Sequence, residues 1–175
     1  KINNVTFTRN GATIDGGAIN LRATGVSVND TRFYSNTAGR HGGALMVGGT
    51  GKNNTIYYSV FEKNVAGDHG GAIDWLAAAG DIFYSNFTAN EAVYGGGIYL
   101  NGVSSNSRIF NVIFDANRAT KNGGAIDCNA SMMGLNNTLF TNNYAGEYGA
   151  ALCREANATG GFGGNNTFDR NHAYI

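Results

Sequence analysis

The chain has 175 residues, zero formal net charge and only 14 % charged residues, which excludes an electrostatic nucleic-acid binder with its basic stripe. Hydrophobic residues make up 42 % and are regularly placed, which excludes low-complexity disorder, and no apolar run reaches transmembrane length. Glycine is abundant at 27 residues and proline is absent, as suits a backbone whose N–H groups nearly all donate to inter-strand ladders.

In chain order, one pattern returns seven times. Its first copy, "FTRNGATIDGGAI" from Phe7, follows Ile2 and Asn4. The second, "FYSNTAGRHGGAL" from Phe33, follows Val28 and Asn29 and carries His41 before its Gly-Gly pair. A loop, "GGTGKNN" (48–54), then leads through Asn53, Ile56 and Tyr57 to the third copy, "FEKNVAGDHGGAI" from Phe61. That copy places Asp68 and His69 before the glycines and Asp74 and Trp75 after them. The fourth, "FTANEAVYGGGI" from Phe87, follows Ile82, Phe83 and Asn86, and is one residue shorter between its Asn and its Ile. After the loop "NGVSSNS" (101–107) come Ile109, Phe110 and the fifth copy, "FDANRATKNGGAI" from Phe114, with Asp127 and Cys128 behind it. Leu135 and Asn136 precede the sixth, "FTNNYAGEYGAAL" from Phe140, where Ala150 replaces the second glycine. Cys153, the loop "REANATGGFGG" (154–164) and a partial copy, "FDRNHAYI" from Phe168, complete the chain.

The Phe-to-Phe spacings are 26, 28, 26, 27, 26 and 28 residues. Three residues after each Phe stands Asn10, Asn36, Asn64, Asn90, Asn117, Asn143 or Asn171, and two further on always an Ala. Apolar steps around Phe and around Gly-Gly-Ala-Ile have period two, so they predict strands, and no stretch with period 3.6 supports a helical repeat. The expected fold is all-β: a right-handed parallel β-helix of six to seven coils, about 27 residues and two or three strands per coil. Residues 1–175 form a single β-helix repeat domain, expected to be an excerpt of a longer repeat protein. Its uncapped end coils are expected to offer strand edges to another chain or to the rest of this one.

Each element of the motif has a physical reason. The Phe fills the bore and stacks on its neighbours. The Asn turns the corner, because it tolerates left-handed backbone, and its amide bonds the next coil's amide. The first glycine of the pair meets a conformation or close approach that a side chain would block, whereas the second is expected to be less strict, given Ala150.

Recurrent Phe-X-X-Asn with Gly-Gly-Ala-(Ile/Leu) resembles the repeat pair of the chlamydial polymorphic outer-membrane proteins. It is similar also to repeats in large adhesin-like surface proteins of methanogenic archaea and other microbes. The resemblance runs from Phe7 to Ala173 and implies a right-handed parallel β-helix displayed outside the cell, with adhesion as the usual role. The residues it carries over are structural: Phe7, Phe33, Phe61, Phe87, Phe114, Phe140 and Phe168 with their Asn and Gly-Gly-Ala partners.

Candidate functional residues lie outside the motif. Asp74 and Asp127 share the position after the inward Ile, two coils apart with Tyr99 between, and are the weak candidates for an acid/base pair. No basic partner accompanies them, so they are read as members of a solvated strand face alternating polar with apolar residues. His41 and His69 occupy one position in adjacent coils with Asp68 nearby; the column elsewhere holds Asp15, Tyr94, Asn122 and Tyr148, so it is read as a variable turn, and no metal and no cofactor are expected. Tyr57, Phe83 and Phe110 follow the inward Ile column and form an outward aromatic ladder, the candidate binding surface. Cys128 is expected to point inward and Cys153 outward, which does not suit a disulfide. Asn-X-Ser/Thr acceptors occur at Asn4, Asn29, Asn53, Asn86, Asn129, Asn136, Asn157 and Asn165, and their number favours an exported glycoprotein at the cell surface or outside the cell. The resulting expectation is a non-enzymatic, adhesin-like or structural module for surface attachment or filament assembly. Its partners are then further copies of itself or a host or cell-surface protein or glycan, not nucleic acid. The alternative is a carbohydrate-active β-helix enzyme, a polysaccharide hydrolase or lyase.

Overall fold

The computed structural model describes residues 1–49, 53–76, 79–101, 107–129, 132–156, 158 and 163–174. Every regular element among them is a β-strand, and none contains a helix long and apolar enough to cross a membrane. A coil holds four strands rather than two or three; in the third coil these are Asn54–Tyr57, Val60–Glu62, Val65–Ala66 and Ile73–Trp75. The extra strand, typified by Val65–Ala66, has two residues, too few to show an alternation in the sequence.

Each strand pairs in parallel with its counterparts in the coils before and after, so the chain builds four sheets of six, seven, seven and six strands. The first sheet contains Asn54–Tyr57, the second Val60–Glu62, the third Val65–Ala66 and the fourth Ile73–Trp75. Register follows the repeat: Phe61 pairs with Phe33 and Phe87, Ile56 with Val28 and Ile82, Ile73 with Leu45 and Ile98. The result is a parallel β-solenoid of about six turns.

Period-two alternation turns one side of every strand into the bore. The seven Phe rings stack from Phe7 to Phe168 with centroids 4.7–5.1 Å apart and planes within 16° of parallel. That spacing is the strand separation itself, so each ring keeps contact with the next without bending the backbone. Ile, Leu and Val from the first and fourth sheets fill the remainder. Trp75 is fully buried, and Gly80 makes room for it: a Cβ at Gly80 would lie 2.1 Å from the indole. Cys128 faces the bore and is buried, Cys153 lies half-buried on the opposite side of its strand, and no disulfide joins them.

The Asn column forms an uninterrupted ladder. From Asn10 to Asn171, every side-chain Nδ2 in the ladder donates to the Oδ1 of the next Asn at 2.9–3.0 Å. From Asn36 on, each Nδ2 donates also to a Phe carbonyl of the preceding coil, as Asn64 does to Phe33. The same Oδ1 accepts the backbone N–H of the Asn below it. Every buried amide of this ladder is therefore satisfied, which allows a polar column beside an apolar core.

The left-handed residue at this corner is not the Asn. It is the residue before it: Arg9, Ser35, Lys63, Ala89, Ala116, Asn142 and Arg170 have φ between 50° and 56°. The Asn amide is committed inward, so the backbone inverts one residue earlier, at a position that is not buried and whose side chain varies. A second left-handed corner falls three residues before each Phe, at Asn4, Asp30, Tyr58, Tyr84, Asn111, Asn137 and Asn165. The first glycine of each pair supplies the third, with φ from 62° to 67°. A Cβ at Gly70 would also sit 2.1 Å from the Ile73 carbonyl oxygen. Inside the stack the second glycine is equally restricted, against expectation: a Cβ at Gly43 would lie 2.1 Å from the Gly71 carbonyl oxygen of the next coil. In the sixth copy Ala150 stands at this position and is buried.

Candidate functional site

Two outward faces carry side chains that the fold does not need. The first lies at the corner between the first and second sheets. Tyr57, Phe83 and Phe110 are in register on successive strands, with ring centroids 5.3 and 6.3 Å apart. The left-handed corner adds Tyr58 and Tyr84, stacked at 5.1 Å, and Tyr84 meets Phe110 edge-on at 5.9 Å. Tyr58, Tyr84 and Phe110 are 59, 45 and 37 % exposed, so the five rings make one solvent-facing aromatic surface across three coils. Arg108 lies over Phe83 and is paired with Asp81, its Nε donating to Oδ1 at 2.8 Å. Sequence reasoning found the ladder but missed Tyr58 and Tyr84, because the corner that projects them is visible only in the backbone. A recurring small polar residue three before each Phe was the available signal: where the other copies have Asn or Asp, these two have Tyr.

The second face is the outer side of the fourth sheet, and here the sequence reading is corrected. Asp74 and Asp127 do point outward, on either side of Tyr99 in register, but they are 0 and 1 % exposed rather than solvated. The turn before each Gly-Gly pair folds back over the strand. Its residues Asp15, His41, His69 and Tyr94 form a second ladder of backbone bridges, and their side chains cover the column Met46, Asp74 and Tyr99. His41 and His69 are adjacent as expected, with ring centroids 5.0 Å apart, and His69 stacks on Tyr99 at 4.1 Å. His41 Nδ1 lies 3.3 Å from Asp15 Oδ1 and 3.6 Å from Asp74 Oδ2. Asp68 Oδ2 is 3.9 Å from His41 Nε2 and 3.7 Å from His69 Nδ1.

Burial sets the electrostatics of this face. Burial first, then the nearby Asp15 and Asp68, pushes the Asp74 carboxyl up to about 8. Asp127 is pushed up to about 7 by burial and by Glu155, against the weak pull of the Cys128 backbone amide. Burial lowers His69, with Asp68 opposing, which favours its neutral imidazole. Cys153 and Tyr99 are each pushed up to about 12, by burial first and by Asp127 next. A glycosidic bond needs a carboxyl that touches it, and carboxyls roofed by rings and a folded turn present no such surface to a polysaccharide.

Two stretches of the chain, residues 4–22 and 111–129, match the model of the Chlamydia polymorphic membrane protein repeat. At these two places the chain carries the polymorphic membrane protein repeat. Both matched stretches begin at a left-handed corner Asn and run through Phe, the ladder Asn and Gly-Gly-Ala-Ile. Each matched stretch covers the part of one turn that runs from that corner through the fourth-sheet strand, and what it specifies is scaffold. No curated protein and no solved structure shows a significant match to the chain. The family is one of outer-membrane, surface-associated proteins and not one known for enzymes. Tyr57, Tyr58, Phe83, Tyr84, Phe110, His41, His69 and Asp74 lie between the matched stretches, whereas Asp127 lies within the second.

The glycosylation acceptors divide by exposure. Asn4, Asn53, Asn86 and Asn165 are exposed, whereas Asn29, Asn129 and Asn136 are partly covered. Asn29 is tied to Asn3, whose Oδ1 accepts from its Nδ2 at 2.7 Å. Asn157 lies outside the described residues, as do parts of the loops 48–54, 101–107 and 154–164.

Proposed function

We propose that the chain is a surface-displayed, non-enzymatic adhesive solenoid that binds an extended, uncharged glycan along the corner of Tyr57, Tyr58, Phe83, Tyr84 and Phe110. One observation carries this reading. Tyr58 and Tyr84 occupy left-handed corners, at φ 46° and 51°, where the equivalent residues in the other copies are Asn or Asp. A bulky side chain in that region carries a strain of about 1–2 kcal/mol that packing in the bore does not require, and both rings are turned to solvent. Flat rings at the strand spacing offer stacking faces to successive sugar rings. The Tyr hydroxyls and the Asp81–Arg108 pair supply hydrogen bonds at the edge. The zero net charge favours a neutral glycan over an acidic one. The repeat family supports display at the cell surface, and the exposed acceptor residues support export.

A glycan array read with the chain and with a Tyr58→Ala/Tyr84→Ala/Phe110→Ala variant tests the proposal. The expected result is binding to neutral glycans that falls by about tenfold or more in the variant. Light scattering over a concentration series distinguishes the competing occupant. Self-association that the same substitutions abolish would assign the surface to a second copy and to filament assembly instead.

A further inference from the structure

We propose that His41, His69 and Asp74 bind a divalent cation of the zinc class, which fastens the turns of the second and third coils to the fourth sheet. One ligand atom from each of the three residues lies within 4.8 Å of the other two. In a tetrahedral zinc site neighbouring ligand atoms are about 3.3 Å apart, so side-chain rotation of about an ångström or so closes the set. Main-chain bridges between His41 and His69 fix the imidazoles in adjacent rungs, and pairing with Met46 and Tyr99 fixes Asp74 beneath them.

The independent sign of a ligand is Asp74 itself. Its side chain is fully buried, and neither oxygen has a hydrogen-bond partner. His41 Nδ1 is 3.6 Å from Oδ2, beyond hydrogen-bond range. A buried carboxyl with two orphaned oxygens is a net destabilising group unless something completes it, and a cation does so directly. The surrounding charge fits a dication. Once a cation displaces the Asp74 proton, Asp15, Asp68 and Asp74 bring three carboxylates against the one guanidinium of Arg40, which is paired with Asp15, a local excess of two negative charges. Asp68 lies against Nε2 of His41, the nitrogen not turned to Asp74, where it can orient that imidazole for binding through Nδ1. Two imidazoles and one carboxylate favour zinc-class ions over calcium or magnesium, which take all-oxygen sets. Asp127, Cys153 and Glu155 form a second close cluster farther along the column, but three anionic ligands with no imidazole make it the weaker set.

The intact chain, without a histidine tag and freed of metal with chelator, is titrated with Co²⁺ followed by absorption spectroscopy, and separately melted with and without Zn²⁺. The expected result is about one equivalent of Co²⁺ with the intense visible bands of a tetrahedral site, no near-ultraviolet thiolate band, and a rise in melting temperature with Zn²⁺. His69→Gln and Asp74→Asn each remove the bands and the rise, while Cys153→Ser keeps both. Metal-free Asp74→Asn melts at or above the metal-free parent, which shows that its loss of binding is not a loss of fold. Absence of both signals in the parent overturns the proposal, as does unchanged binding in His69→Gln and Asp74→Asn. Loss confined to Cys153→Ser would place the metal at Asp127, Cys153 and Glu155.

Discussion

Lys63 and Asn64 stand side by side at one corner and divide its labour. Lys63 takes the left-handed backbone, and Asn64, fully buried, takes the hydrogen bonds. Asn64 Oδ1 accepts from the N–H and Nδ2 of Asn36, and its Nδ2 donates to Phe33 O and Asn90 Oδ1. Asn64→Ala strands these buried groups and is expected to cost about 2–4 kcal/mol in urea unfolding, with the midpoint shifting more than the slope. Lys63→Gly relieves a strained φ while loosening the unfolded chain, and the two effects nearly cancel, leaving a change within about 0.5 kcal/mol. The reverse ranking would return the turning role to the Asn. The sequence displays the Asn column because one side chain makes the same bonds in every coil. It hides the left-handed column because Arg, Ser, Lys, Ala and Asn all serve there, and nothing they share is written in residue type.

At the scale of the strand, Asp127 shows what a covered outer face does to a titrating group. In the folded chain the carboxyl keeps its proton up to about pH 7, whereas the unfolded carboxyl releases it near the ordinary value of 3.8. The folded state therefore binds more protons than the unfolded state between these values, and stability falls as pH rises from about 4 to 7, then levels off. Asp127→Asn is expected to flatten that slope and to stabilise the chain by about 1–3 kcal/mol at pH 8, with little change at pH 4. Urea unfolding at both pH values, in chelator, checks it; equal destabilisation at both would mean that the carboxylate is matched by a partner. Alternation correctly set Asp74 and Asp127 facing out of the bore, with Tyr99 between them. Period two says which way a side chain points, not what lies beyond it. The roof of His41, His69 and Tyr94 arises from a backward fold of the turn at Gly42, Gly70 and Gly95, and no pattern along a single strand encodes it.

Across the whole molecule, stability is passed from coil to coil, because each strand pairs only with its counterparts in neighbouring coils. Phe33, Phe61, Phe87, Phe114 and Phe140 are wholly buried, while Phe168 is 54 % exposed. Amide exchange is accordingly expected to be slowest in Val60–Glu62, Asn86–Thr88 and Ile113–Asp115, and much faster in Ile2–Asn3 and His172–Ala173. Uniform protection from first coil to last would show the stack to open as one unit. The Asn ladder gives this stack a sense of direction. All six side-chain links from Asn10 to Asn171 donate the same way along the axis, so their amide dipoles add rather than cancel. One end of the row offers hydrogens and the other lone pairs. A further coil can extend it in a single orientation, and a mirror-wise meeting of two like ends would set donor against donor. Polarity of growth is thus built into a side chain that the sequence repeats for another purpose, closing a corner.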